Sequence, residues 1–279
     1  MRLNESNFEF GIVQGRLIQS PEGCLQWFPQ EDWESEFFLA NALCINFIEL
    51  IAERHHNRRN PIWTEEGIER IKNLAKRNNL SIHALCNDYI IDHSLANGQD
   101  VIKQNMKLIS RAKLLGVKKL ILPLFEKSEL NESNMKMYKK CLLNISSVAQ
   151  ENNILVCLET ILNGENLLRL LETLDHPNIK CVFDTGNRIA FGHDICSDIE
   201  LLNERIKHVH IKDKNSQNEN VLLGTGDVNF YKVFESLSKI GYEGPFTFET
   251  TRGTDPLRTA KYNIQFIEFF MKETMIDEN

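Results

Sequence analysis

The chain has no apolar run approaching the roughly 20 residues that a membrane span needs. Its opening stretch, "MRLNESNFEFGIVQGRL", lacks the apolar core of a signal peptide. No membrane association and a cytoplasmic location are therefore expected. There is no Cys-x-x-Cys pair either. The seven cysteines (24, 44, 86, 141, 157, 181 and 196) are scattered and odd in number, and Cys86, Cys157 and Cys181 fall inside apolar runs. They read as reduced, buried thiols rather than a disulfide scaffold. Positive charge is in deficit, with 32 Lys and Arg against 39 Asp and Glu and a net charge of −7. That speaks against a nucleic-acid partner, because phosphate binding needs a local excess of Lys and Arg. The basic stretch "ERHHNRRN" (53–60) reads as a solvated loop. Without a Pro/Gly/Ser linker or a low-complexity block, residues 1–279 are expected to form one domain.

What is present points to a layered α/β fold. The chain is 42% hydrophobic and 25% charged, enough to bury a large core. Short β-type runs occur at 8–14, 46–50, 80–86, 118–124, 154–159, 179–184, 207–212 and 245–250. Amphipathic helical patterns lie between them, among them 65–79, 100–116, 131–153 and 255–273. Gly116 is a C-cap for the second of these, and Asp255–Pro256 opens the last. Near-continuous apolar strands alternating with helices mean a parallel sheet covered on both sides. Eight such units predict a single (β/α)₈ TIM barrel, a fold of roughly 250 residues. No GxGxxG follows the first strand, which weakens the dinucleotide-binding alternative.

Four strand ends share one peculiarity. "ILVCLE", "IKCVFD", "KHVHIK" and "PFTFET" run from apolar residues into Glu159, Asp184, His210 and Glu249. Taken singly, each acid could be a helix N-cap or a loop hydrogen-bonder. His208 and His210 both alternate with apolar neighbours, so one of them could be a core histidine. Taken together, the four would stand on one rim of the barrel, where such folds build their sites. Three carboxylates and an imidazole repel unless a cation sits among them. One divalent metal is therefore expected, with Mn²⁺, Mg²⁺ or Co²⁺ favoured by the oxygen-rich set and Zn²⁺ also admitted.

The segments "LET"–"ILNGE", "FDTGN", "HVHIKD", "LGTGDVNF" and "FTFET" resemble the xylose-isomerase-like barrel superfamily. Within it they are most similar to the sugar (phosphate) isomerase/epimerase branch, which includes ketose 3-epimerases and hydroxypyruvate isomerase. The resemblance implies a single metal on Glu159, Asp184, His210 and Glu249, with Glu159 and Glu249 also moving the proton. It implies a small sugar or sugar phosphate as substrate, contacted by Glu165, six residues after Glu159. Glu49 in "FIEL" and His83 in "SIHALC" fall where the family has site residues, and Lys212 and Asp213 continue its HxKD pattern. Two positions depart from the ketose epimerases: Asn187 replaces a histidine and Ser216 an arginine. An amide can still donate and accept but cannot become a cation.

The remaining expectations are for substrate contacts and assembly. Arg16, leaving strand one, is a candidate for a substrate phosphate or carboxylate, and Asp88 for a sugar hydroxyl. Glu126 reads as an exposed loop residue. Trp27, Phe28 and Trp33 could wall a sugar pocket or form a subunit contact. The apolar "FIEFF" (266–270) favours a homodimer. An inosose-type dehydratase on the same site is the nearest alternative activity, ahead of an apurinic-site endonuclease or a non-catalytic sugar-binding barrel.

Overall fold

The computed structural model describes residues 8–131 and 133–274; the first seven residues of the stretch read for a leader lie outside it. Eight parallel strands close into a barrel: β1 (Phe10–Val13), β2 (Phe47–Ala52), β3 (Ser81–Asn87), β4 (Lys119–Leu124), β5 (Leu155–Thr160), β6 (Ile179–Asp184), β7 (Ile206–Ile211) and β8 (Phe246–Phe248). Sequence neighbours pair with each other, and β8 returns to β1 with Phe10 opposite Phe246 and Ile12 opposite Phe248. Each predicted strand has its counterpart within two residues at either end. Closure leaves no free edge, so every strand is buried on both faces and shows an apolar run rather than a simple alternation.

Helices wrap the barrel as α1 (Ser35–Ala42), α2 (Glu65–Arg77), α3 (Gln99–Leu115), α4 (Met135–Glu151), α5 (Gly164–Leu174), α6 (Ile195–Leu202), α7 (Phe230–Lys239) and α8 (Pro256–Thr274). In α2 the apolar stripe of Ile68, Ile71, Leu74 and Ala75 is buried. Thr64 caps its start by accepting from the N–H of Gly67 at 3.0 Å. Glu65 and Glu66 open it and Lys76 and Arg77 close it, which suits the helix dipole. Gly116 ends α3 in the left-handed conformation, with φ of 78°. α4 starts four residues later than its periodicity suggests. The Asn131 side chain accepts from the N–H groups of Ser133 and Asn134 and so holds the approach as a turn.

The barrel interior is polar at specific levels. Gly11 leaves room for the Phe47 ring, which a Cβ at that position would overlap. Nearer the carboxyl ends of the strands the fully enclosed groups are Glu49, His208, Thr247 and His210. Among the described residues no helix is long and apolar enough to cross a membrane.

Candidate active site

Strand register brings the four charged ends together. Asp184 on β6 lies directly opposite His210 on β7, and Thr247 on β8 faces His210 from the other side. Glu249 stands two residues beyond Thr247, and its N–H donates to the carbonyl of Ile211 at 3.0 Å, which extends the strand pairing. Glu159 is the penultimate residue of β5. The Nδ1 of His210 is 3.6 Å from Glu159 Oε1, 3.8 Å from Asp184 Oδ2 and 3.2 Å from Glu249 Oε2. One donor atom from each of the four lies within 4.8 Å of all the others.

Asp184 does two jobs at once. Its Oδ1 accepts from the N–H of Asn187 at 2.7 Å, capping the short helix Thr185–Ala190, while its Oδ2 faces the cluster. The ordinary cap and the site acid are thus one residue. Gly186, the next residue but one, passes close over the stem of Lys212, where a Cβ would collide with it. Lys212 can therefore lie inward, with Nζ 2.9 Å from Asp184 Oδ2 and 2.7 Å from Glu249 Oε2.

The donor set suits a divalent cation. Asp184 Oδ2, Glu249 Oε2 and His210 Nδ1 are buried and complete no hydrogen bond of proper geometry, despite their nearness to Lys212 and to each other. Burial without such partners is costly for polar atoms unless an ion completes them. Burial pushes the Glu159 carboxyl up to about 7, against the pull of His210. Burial acts the same way on Glu249, but Lys212, His210 and Arg16 outweigh it and hold that carboxyl well below its usual range.

A carboxylate beneath the cluster fixes the imidazoles. Glu49 takes the Nε2 of His208 at 2.7 Å and of His210 at 3.1 Å. Burial raises its pKa, yet the two histidines more than reverse this and bring it to about 2. An ionised carboxylate only accepts, so both Nε2 atoms carry a hydrogen and His210 turns Nδ1 towards the acids. Burial lowers the pKa of His210, but Glu49, Glu159 and Glu249 outweigh this and hold it well above the usual range.

Above the four residues opens a cavity of about 350 Å³, lined among others by Gln26, Asp88, Asn187, Lys212, Phe125 and Phe191. Asn187 Nδ2 donates to Glu159 Oε1 at 3.3 Å. Asp88 is 3% exposed, and burial lifts its carboxyl to about 6. Arg16 is enclosed beside the cavity, donating to the carbonyl of Thr250 at 3.0 Å, to Gln26 at 2.9 Å and towards Glu249 at 3.4 Å. These protein groups engage both of its terminal nitrogens.

Two expected site residues stand elsewhere. His83 on β3 is tilted over Phe47 with ring centroids 4.9 Å apart and clear of the cavity. Burial depresses its pKa to about 3. Glu165 lies exposed in the first turn of α5, where a negative charge suits the helix dipole. The offset of six residues places it on the helix instead of over the barrel. Glu126 does reach the cavity wall, where it takes both nitrogens of Arg54 at 2.9 and 2.5 Å. Gln26 also lines the cavity without any signal in the sequence, because loop residues carry no periodic pattern; Arg54, from the basic stretch read as a solvated loop, and Lys214 line it too. Asp213 is a loop organiser: its carboxylate accepts from the N–H groups of Gly224, Gly226 and Val228, which gives the "LGTGDV" stretch its shape.

The chain is 31% identical over 99 residues to a putative L-ribulose-5-phosphate 3-epimerase of Escherichia coli, covering 32% of this chain and 35% of that one. It is 35% identical over 77 residues to a ketose 3-epimerase of Arthrobacter globiformis, covering 28% of this chain and 25% of that one. The matched part thus spans about a third or less of these relatives' length. Among solved structures, an L-ribulose 3-epimerase superposes with a TM-score of 0.76 at 17% identity, covering 95% of each chain. The D-psicose 3-epimerase of Clostridium cellulolyticum does so with a TM-score of 0.76 at 16% identity, over 95% of this chain and 99% of that one. These structural likenesses speak for the fold. Residues 37–270 match the model of one family, so on both sequence and architecture the chain belongs to the xylose isomerase-like TIM barrels.

Proposed function

We propose that the chain is a divalent-metal-dependent isomerase or epimerase of a sugar or sugar phosphate. What carries this reading is the convergence of the buried Glu159 and Asp184 and the partly buried Glu249 with His210 Nδ1 at the floor of a cavity of sugar-binding size. Glu159, Asp184, His210 and Glu249 would hold the ion, with Mn²⁺, Mg²⁺ or Co²⁺ favoured over Zn²⁺. The ion supplies Lewis acidity towards a carbonyl and its neighbouring hydroxyl.

The rest of the chemistry belongs to the side chains. One of Glu159 and Glu249 takes the proton from the carbon next to the carbonyl, leaving a cis-enediolate. The other returns a proton to the opposite face for epimerisation, or to the neighbouring carbon for aldose–ketose exchange. Lys212, 2.7 Å from Glu249, offers an ammonium to the developing oxyanion. Asn187 and Asp88 are placed to hold hydroxyls, and Arg16 keeps Glu249 in position. The relatives named as 3-epimerases invert the carbon beside a ketone, which favours epimerisation as the outcome.

The test is a panel of ketoses and ketose phosphates incubated with metal-stripped protein and with protein reloaded with Mn²⁺. Carbon NMR should show a new epimer or aldose only in the reloaded sample. A tightly bound metal with every sugar returned unchanged would speak against the proposal.

A further inference from the structure

Beside the cavity over the four charged strand ends lies a second chamber of about 450 Å³, and Gln26, Arg54 and Asp88 line both. The second chamber is walled by the loop after β1, through Trp27 and Phe28, and by the loop after β2, through Glu53, His55, His56 and Asn57. Nothing in the proton-transfer chemistry uses it.

Its electrostatics disfavour an anion. Arg54 is the cation in its wall, and it already forks onto both oxygens of Glu126 while lying 3.6 Å from Asp92. Glu53 and Asp88 add negative charge. Burial, with Lys107 and Arg58 nearby, lowers the pKa of His56. A phosphate here would meet acids and an arginine already neutralised.

Its chemistry suits a neutral ring with many hydroxyls. The half-buried Trp27 and the buried Phe28 supply an aromatic face to its wall. Gln26, His55 and Asn57 supply donors and acceptors around that face. The polar wall is held in place before any ligand arrives. Glu53 accepts from Asn57 and Asn60 at 2.9 Å each, and Asn57 also donates to Gln30 at 3.2 Å.

We propose that this chamber is a glycosyl subsite. The substrate is then a glycoside whose keto sugar sits over Glu159 and Glu249, while a second, uncharged sugar ring sits against Trp27. The inference rests on the sugar isomerase/epimerase reading and narrows it to glycosidic substrates.

Kinetics in D₂O test it, comparing fructose with its 4-, 5- and 6-O-glucosyl derivatives and reading deuterium incorporation by proton NMR. At least one glucosyl ketose should show kcat/KM about ten-fold or more above fructose. In Trp27→Ala that ratio should fall to near one. A wild-type ratio of one or below for every derivative, with fructose itself exchanging, would overturn the subsite and leave the proposed reaction standing. So would a raised ratio that Trp27→Ala does not change. Should Trp27→Ala not fold, the wild-type ratio decides alone. If no sugar exchanges at all, the reaction itself fails, and tryptophan fluorescence during titration with methyl glucoside judges the chamber separately. A saturable change that Trp27→Ala removes would sustain the subsite; a flat titration of the wild type would sink it.

Discussion

The two ring nitrogens of His210 face two different carboxylates: Nε2 lies 3.1 Å from Glu49 Oε1, and Nδ1 lies 3.2 Å from Glu249 Oε2. Only the second belongs to the rim cluster. Glu49 holds a hydrogen on Nε2 and aims Nδ1 at the acids above, the arrangement in which an outer carboxylate orients a metal-binding imidazole. A glutamine at position 49 loses the charge that fixes both imidazoles and turns an amide N–H₂ towards one of their Nε2 atoms. Glu49→Gln is therefore expected to weaken Mn²⁺ binding by about 10- to 100-fold. Calorimetric titration of metal into the stripped protein checks this.

Lys212 presents a different sign. Its ammonium sits between Asp184 and Glu249, where it offsets two of the charges that a metal ion would also offset. Lys212→Met leaves those buried carboxylates uncompensated in the metal-free protein, a loss on the order of 3–5 kcal/mol. The metal-free variant should melt well below wild type, and added Mn²⁺ should raise its melting temperature by more than it raises that of wild type. Thermal unfolding with and without Mn²⁺ measures both. Equal increments in the two proteins would mean that Lys212 and the ion do not share the same charges.

Glu36 makes stability depend on pH through a group away from the four charged strand ends. Its carboxylate accepts from the N–H of Gly15 at 2.8 Å and of Leu17 at 3.2 Å, and anchors the start of the first loop. Burial outweighs these bonds and lifts its pKa from 4.5 to about 7. Below pH 4.5 the folded and unfolded chains both carry the proton, and the contribution is complete. As pH rises towards 7 the unfolded chain gives up its proton first, so stability falls by on the order of 3 kcal/mol. Denaturant titrations at pH 5 and pH 8 should show wild type losing more stability across that interval than Glu36→Gln. Parallel losses in the two would contradict the assignment.

Gly11 allows the Phe47 ring to fill the barrel, and Gly11→Ala should cost about 1–3 kcal/mol through overpacking. Urea unfolding measures that loss. The substitution lies below Glu49, so Mn²⁺ affinity of the folded variant should stay within about two-fold of wild type.

The barrel and its charged rim were legible because both follow from period and position. A strand buried on both faces must read as an apolar run, so an acid at its end stands out, and Glu159, Asp184, His210 and Glu249 could be found that way. Offsets counted past the end of a strand travelled less well. Glu165 keeps the expected spacing, yet its exposed place in α5 is fixed by where Asn163 caps that helix. His83 has the right residue type at the wrong height, because its ring packs over Phe47 and stays clear of the cavity. Gln26 and Arg54 reach the cavity from loops whose path depends on contacts distant in sequence. Arg252, for example, donates to the carbonyls of Gly15, Cys24 and Leu25. No local pattern encodes those contacts.

The most direct measurement is deuterium exchange on Mn²⁺-loaded protein in D₂O with a panel of ketoses, aldoses, their phosphates and glucosyl ketoses. Wild type, Glu159→Gln and Glu249→Gln would be followed side by side by proton NMR, with bound metal quantified in each. Metal-dependent exchange at a carbon beside the carbonyl, lost in both variants, is the expected result. Exchange that persists without Mn²⁺, or that survives either substitution at wild-type rate, would contradict proton transfer between Glu159 and Glu249.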